Sequence, residues 1–371
     1  MRGRQDAQSG MFYVIDVESR IRDDHPLRPV KRMVDAELRR MSGPFNRAYS
    51  QVGRPSVPPE RLLKAMLLQA LYSVRSERQL VERIDTDLLF RWFLDMDPAE
   101  DTFDATAFTH NRERLEKFNL VGRFFDGIVR QAIEAGLTSD EHFSVDGTLI
   151  QSYASLKSIK PIEQQDDRDP KSGSRNKPAD FRGQRRTNAT HRSTTDPEAR
   201  LYRKGWGQPA YLYHSGHIVT ENRHGLVMAV AVAEANGHAE REEALRMLAH
   251  LNRRHGIEPA TLAADKGYYA GEFLSDLETC VERPYVAVPD VPIVTDDEPA
   301  RARRRARRRT RNKGYALSQR RRKLVEEAFG WAKTIGGLRR ILTVGRWKLK
   351  QRAHMVFAGY NLIRLAKLVP T

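Results

Sequence analysis

"EHFSVDGTLIQSY", residues 141–153, is where the pattern of this chain turns from helix to sheet. Phe143, Val145 and, further on, Leu149 alternate with polar neighbours, the period of a half-buried strand, and Asp146 falls inside it. An unpaired carboxylate in an apolar strand is costly to desolvate. Asp146 therefore requires a metal, a cation or backbone donors around it.

Downstream, "AYLYHSGHIVTE" (210–221) and "GLVMAVAVAEA" (225–235) read as two strands joined at "NRHG", a hairpin or meander with the Asp146 strand. "HAEREEALRMLAHLNRRHG" (238–256) is a helix with Ala244, Leu245, Leu248 and Leu251 on one face, stopped by Gly256. His238 and Glu240 read as its cap and a first-turn acid, with a role in the site as the second reading. "ATLAADKGYYA" (260–270) is a further strand that delivers Asp265 at its carboxyl end, where sites of open α/β sheets gather. A short helix, "GEFLSDLETC", precedes the strand "RPYVAVP", and long helices close the chain. The order from 142 onward is three strands, helix, strand, helix, strand, helix. It predicts an α/β sheet, an antiparallel meander extended by parallel crossovers and covered by helices. For each aspartate alone, the competing reading is a turn residue satisfied by local backbone groups.

Upstream, residues 26–137 read as an all-α module. "HPLRPVKRMVDAELRRM" and "VPPERLLKAMLLQALYSV" carry apolar residues at helical spacing, and Ser76 and Asp104 or Thr106 are candidate caps for the helices that follow. Residues 1–25 form a polar extension. Residues 155–204 or so are charged, rich in Pro, Ser and Asn, and too poor in apolar residues to fold alone, so they read as a disordered basic loop. The module from 138 to 371 is then the one that carries the acids.

The chain has 371 residues and a formal net charge of +16, a balance that favours a polyanionic partner. Cys280 is the lone cysteine, which leaves neither a disulfide framework nor a cysteine-based zinc site. The absence of a signal-like start or a bilayer-length apolar run predicts a soluble, intracellular protein. Between 301 and 322 there are eleven arginines and no acid. So dense a run repels itself, and residues 290–318 are expected to form an Arg-rich loop that contacts DNA phosphates through residues such as Arg304, Arg308 and Arg311.

In "RRRKLVEEAFGWAKTIGGLRR" (320–340), a single helix would place Arg322, Glu326 and Lys333 on one face, with Glu327 about 100° further round. The modest reading is an Arg–Glu surface pair. The larger one joins Glu326 to Asp146 and Asp265 as an all-oxygen set for two Mg²⁺ ions, with Mn²⁺ able to substitute. Lys266, Arg322 and Lys333, beside the acids, would then hold the scissile DNA backbone.

"SVDGT", "AADKGYY" and "RRRKLVEEAFGWAKTIGGLRR" resemble the three acidic motifs of the IS5 family of bacterial insertion-sequence transposases, within the broader IS4-like group. The helical stretch from "HPLRPVKRMV" through "RLLKAMLLQALYSVRSERQLVERI" is similar to that family's N-terminal region, so the resemblance covers nearly the whole chain. It implies a ribonuclease H-like core with an Asp-Asp-Glu (DDE) triad at Asp146, Asp265 and Glu326. The family's Arg, three residues, Glu, six residues, Lys spacing is met by Arg322, Glu326 and Lys333. The tyrosine that the broader group places three residues before the arginine is replaced by Gln319, with Tyr315 nearby. The short stretch from Asp265 to Glu326 leaves little room for the β-rich insertion of some relatives. The expectation is a DNA-associated cytoplasmic transposase, acting as a homodimer on element ends and target DNA. Its rivals are a nuclease of the same fold without strand transfer and a DNA-binding regulator without catalysis.

Overall fold

A computed structural model describes residues 16–50, 52–53, 55–162, 187–203 and 208–369. Most of the polar N-terminal extension and the centre of the 155–204 segment lie outside these residues.

The first part is helical throughout: α1 (Val17–Arg20), α2 (Leu27–Arg40), α3 (Ser42–Ala48), α4 (Pro59–Leu71), α5 (Glu77–Thr86), α6 (Leu88–Leu94), α7 (Thr106–Lys117) and α8 (Leu120–Glu134). The expected cap of α5 is in place, whereas the N-cap residue of α7 is Ala105, which has no capping side chain. Ser76 accepts from the Gln79 N–H at 3.2 Å at the start of α5, and Asp104 accepts from the Thr106 N–H at 2.7 Å at the start of α7.

The sheet then begins with β1 (His142–Gln151), followed by β2 (Ile159–Pro161), β3 (His191–Ser193), β4 (Arg200–Tyr202), β5 (Tyr211–Glu221) and β6 (Leu226–Glu234). After α9 (Ala239–His255) come β7 (Thr261–Ala264), α10 (Gly271–Cys280) and β8 (Arg283–Val286). Four helices end the chain: α11 (Glu298–Arg309), α12 (Lys313–Arg322), α13 (Leu324–Thr334) and α14 (Arg346–Leu368).

In the main sheet β1 is central. It pairs antiparallel with β5 and parallel with β7; β6 flanks β5, and β8 runs parallel beside β7. The order β6-β5-β1-β7-β8 is the meander with parallel crossovers that the sequence predicts, and it is the ribonuclease H-like arrangement. Gly225, at φ 64°, turns β5 into β6, and Gly256, at φ 68°, stops α9, two places where a left-handed conformation suits glycine.

Two stretches depart from expectation. The described ends of the 155–204 segment are ordered: β2 pairs with β3 as a separate two-stranded ribbon, and β4 adds to the end of β5. Buried hydrogen bonds hold this corner, with Asp196 accepting from Ser152 at 2.7 Å and bonding His214 at 2.9 Å. The Arg-rich stretch is helical rather than a loop, because acids from outside the run neutralise it. Arg305 and Arg309 both bind Glu278 of α10, at 2.8 and 2.5 Å, and Arg304 pairs with Asp296. Buried Ala302 and Ala306, one helical turn apart, form the inner face of α11.

The helical part and the sheet share one continuous apolar core. Helix α14 links them, packing on β6 and on α2, α4, α7 and α8. Its Asn361 satisfies both backbone polar groups of Val227 on β6, at 2.9 and 2.7 Å. Among the described residues no helix is long and apolar enough to cross a membrane.

Candidate active site

The parallel register of β1 and β7 pairs Ser144 with Ala263. Two residues further on come Asp146, in the middle of β1, and Asp265, just past the end of β7, so the same register carried on sets the aspartates abreast, close enough for the charge of Asp265 to act on Asp146. Asp265 closes a tight turn, its Oδ1 accepting from the Gly267 N–H at 2.8 Å. Asp146 accepts from the Gly147 N–H at 2.8 Å.

These local bonds do not balance the charge. Burial pushes Asp146 up to about 6, the nearby charges of Asp265 and Glu240 add to the rise, and the Gly147 N–H and Arg322 oppose it. Arg322 is the cation beside Asp146, and at 3.8 Å it is beyond hydrogen-bonding distance. Glu240 is raised as well, by burial and by Asp265. Like charges left so poorly paired, with oxygen donors alone, fit a hard divalent cation.

The segment that carries the third motif acid is not one helix. α12 ends at Arg322 and α13 starts at Leu324, so Arg322 closes one helix and Glu326 sits in the first turn of the next. Both helices nevertheless face β1. Arg322 reaches Asp146, and Lys333, in the last turn of α13, donates to Thr148. The Glu326 side chain is exposed and makes no hydrogen bond or ion pair among the described residues. Glu327 points away and binds Arg364 of α14 at 2.6 Å. The two glutamates are thus separated as helical geometry requires.

Gln319, at the position of the missing tyrosine, donates to the carbonyl oxygens of Ala264 at 3.4 Å and Tyr285 at 2.5 Å. It fastens α12 to the ends of β7 and β8. Tyr315 packs edge-on against Tyr285, ring centres 6.1 Å apart. Between β8 and Glu326 there are two helices and no strand, in line with the absence of a β-rich insertion.

Of the basic residues singled out from the sequence, Lys266 is exposed immediately after Asp265, and Arg308 and Arg311 are exposed and make no ion pair among the described residues. Arg304 is engaged with Asp296 and the Thr295 carbonyl.

Sequence reasoning ranked a site role for Glu240 second, and the structure sets its charge beside that of Asp146 and Asp265. The cap of α9 is Asn236, which accepts from the His238 and Ala239 N–H groups at 3.1 and 2.7 Å, so His238 is not the capping side chain. The available signals were Gly147 and Gly267, each close in sequence to an aspartate and each leaving space that Glu240 fills.

A ribonuclease H-like sheet with one aspartate in the middle of its central strand and a second just past the end of the parallel neighbour is the frame of a metal-dependent phosphoryl-transfer enzyme. Comparison with known families makes this specific. The chain belongs to the Transposase DDE domain family, whose model matches residues 139–362, and a second model, Transposase domain (DUF772), matches residues 15–114. It is a DDE-type transposase, an enzyme of a class that depends on divalent metal ions. No curated protein matches the sequence. A solved structure titled "Mos1 transposase paired-end complex with left transposon end" aligns over 82% of this chain and 86% of that one, at 11% identity and a TM-score of 0.20. At that score the overlay carries no weight.

Proposed function

We propose that this transposase belongs to an IS5-like insertion sequence, recognises the terminal inverted repeats of its element, cuts the DNA there and joins the 3′ ends to target DNA. Asp146, Asp265 and Glu326 are the proposed ligands of two Mg²⁺ ions, with Mn²⁺ as a competent substitute. Bound there, the ions supply the activation of a water or 3′ hydroxyl and the stabilisation of the leaving oxygen. The observation that carries the reading is the pair of aspartates set abreast by strand register, with Arg322 and Lys333 reaching β1 on either side of Glu326. Against it stands the modest reading of Glu326 as a first-turn acid favoured by the dipole of α13.

In this proposal Asp146, on β1, and Asp265, just past β7, fix the metal charge, and Glu326 would contribute from the first turn of α13. Lys266 and Arg322 hold the scissile phosphodiester, while Arg308 and Arg311 extend the phosphate track along α11 and the turn after it, which Arg304 would join only on release from Asp296. The helical region, residues 26–137, is proposed to carry the DNA-end recognition, and residues 138–371 the chemistry. Two ends must be cut and joined together, which favours a homodimer on DNA, in the cytoplasm and on the bacterial nucleoid.

The deciding experiment compares Glu326→Gln with Glu327→Gln on the element's own ends with Mg²⁺. Loss of cleavage in the first and retention in the second supports the assignment; the reverse pattern sinks it. Pre-cut ends offered with a target plasmid test strand transfer. Cleavage without joined products would instead identify a nuclease.

A further inference from the structure

Glu240 stands in the first turn of α9, yet its carboxylate does not serve that helix, whose free N–H groups bond Asn236. It turns toward the sheet. A Cβ at Gly147 would lie 3.1 Å from Glu240 Oε1, and one at Gly267 would lie 3.4 Å from Glu240 Oε2. Gly147 follows Asp146 and Gly267 bonds Asp265, so one oxygen of Glu240 is directed at each aspartate's neighbour. The carboxylate lies where side chains at either glycine would exclude it.

Two buried side chains without partners among the described residues face the same place. His217, the cross-strand partner of Gly147, is 0% exposed, and neither ring nitrogen has a hydrogen-bond partner. Its Nδ1 would be 2.8 Å from a Gly147 Cβ, on the same space as Glu240 Oε1. Tyr268 is also 0% exposed with an unpartnered hydroxyl, and the carboxylates acting on that hydroxyl are Glu240, Asp146 and Asp265. Buried polar groups are rarely left unsatisfied, and two around one acidic cluster point to something that completes it. A hydrated divalent cation among the carboxylates does so, because its waters donate to the unprotonated imidazole nitrogen and to the phenol oxygen while its charge offsets the acids.

We infer that Glu240 is a further carboxylate of the metal centre, a ligand additional to the three motif acids. The inference rests on the proposed metal role of Asp146 and Asp265. It makes α9, which the acidic motifs do not include, part of the active-site frame.

The test is Mn²⁺ binding to the full-length protein without DNA, followed by the electron paramagnetic resonance signal of free Mn²⁺, for wild type, Glu240→Gln, Glu242→Gln and Asp146→Asn. Glu242 is the control, an exposed first-turn acid of the same helix. The expected result is Mn²⁺ affinity weakened about tenfold or more by Glu240→Gln, and unchanged by Glu242→Gln. Wild-type affinity in Glu240→Gln overturns the inference. If Asp146→Asn also binds as wild type, the metal assignment falls with it; if Asp146→Asn alone loses binding, only the role of Glu240 fails. Metal-free melting temperatures verify folding. Should Glu240→Gln fail to fold, Glu240→Asp keeps the charge and retracts the carboxylate by one methylene; weakened Mn²⁺ binding supports the inference, and wild-type binding overturns it.

Discussion

Charge is handled in opposite ways in two regions of this molecule. Along α11 the arginines have acids from outside the run: Glu278 takes Arg305 and Arg309, Glu298 takes Arg305, and Asp296 takes Arg304. Beside the middle of β1 the charges of Asp146, Asp265 and Glu240 act on one another, with Arg322 3.8 Å from Asp146. Matched charge holds a helix in place, whereas unmatched charge at a buried position lowers the stability of the empty fold and leaves affinity for a cation. The difference separates scaffold from site without reference to any motif.

The sharpest way to break this contrast is to remove a carboxylate from the unmatched group. Asp146→Asn and Asp265→Asn are each expected to reduce DNA cleavage by more than about 100-fold and to abolish the rise in melting temperature on adding Mg²⁺. Cleavage assays and thermal melts with and without metal measure both. Substantial activity in either variant would return that aspartate to the role of a turn residue.

The same substitution at Asp146 has the opposite effect on the metal-free protein. The folded-state value of about 6 lies above the ordinary 3.8, so the folded state binds more protons than the unfolded state between these limits. Metal-free stability from this group therefore falls as pH rises from about 4 through about 6. Asp146→Asn should stabilise the metal-free protein by about 1–2 kcal/mol at pH 8 and by little at pH 4, after allowance for the partial exposure of the group. Urea denaturation at the two pH values, with chelator present, measures the difference. A destabilised variant at pH 8 would show that Asp146 is well paired.

On the matched side, Glu278→Gln takes one carboxylate from two arginines and should cost about 1 kcal/mol with no change in Mg²⁺ response. The same denaturation experiment reads it. A loss of metal response would mean that α11 and the site are one electrostatic unit.

Much of this arrangement was legible before the structure, and the reasons are local. Alternation in "HFSVDGTLI" and the stops at Gly225 and Gly256 specified β1, the β5–β6 turn and the end of α9, because backbone geometry in each case depends on adjacent residues. Asp146 and Asp265 were legible as strand-borne acids. Their placement abreast was not, since the register of β1 on β7 is set by packing between segments more than a hundred residues apart. A site role for Glu240 ranked second for the same reason: along the sequence it is one of three glutamates at the start of a helix, and only the folded chain brings it to Gly147 and Gly267. The arginine run was misread as a loop because self-repulsion was counted without Glu278, a partner supplied by α10. Its alanines carried the contrary signal. Ala302 and Ala306 are one helical turn apart, and Gly271 admits the start of α11 so closely that a Cβ there would lie 2.4 Å from the Pro299 carbonyl oxygen.

The finest division falls within α11 and the turn after it. Arg305 and Arg309 are committed to Glu278, while Arg308 and Arg311 stay exposed and, among the described residues, without an acid. If the paired arginines build the helix and the unpaired ones meet phosphate, Arg308→Ala and Arg311→Ala together should leave the melting temperature unchanged. They should also lower the slope of log affinity against log salt by about 2, one counterion for each lost phosphate contact. The slope is measured on unrelated duplex DNA across a salt series, so that recognition of the element ends does not enter. A full slope in the double variant would assign the DNA track elsewhere on the basic surface, while a drop in stability would show that Arg308 and Arg311 also belong to the scaffold.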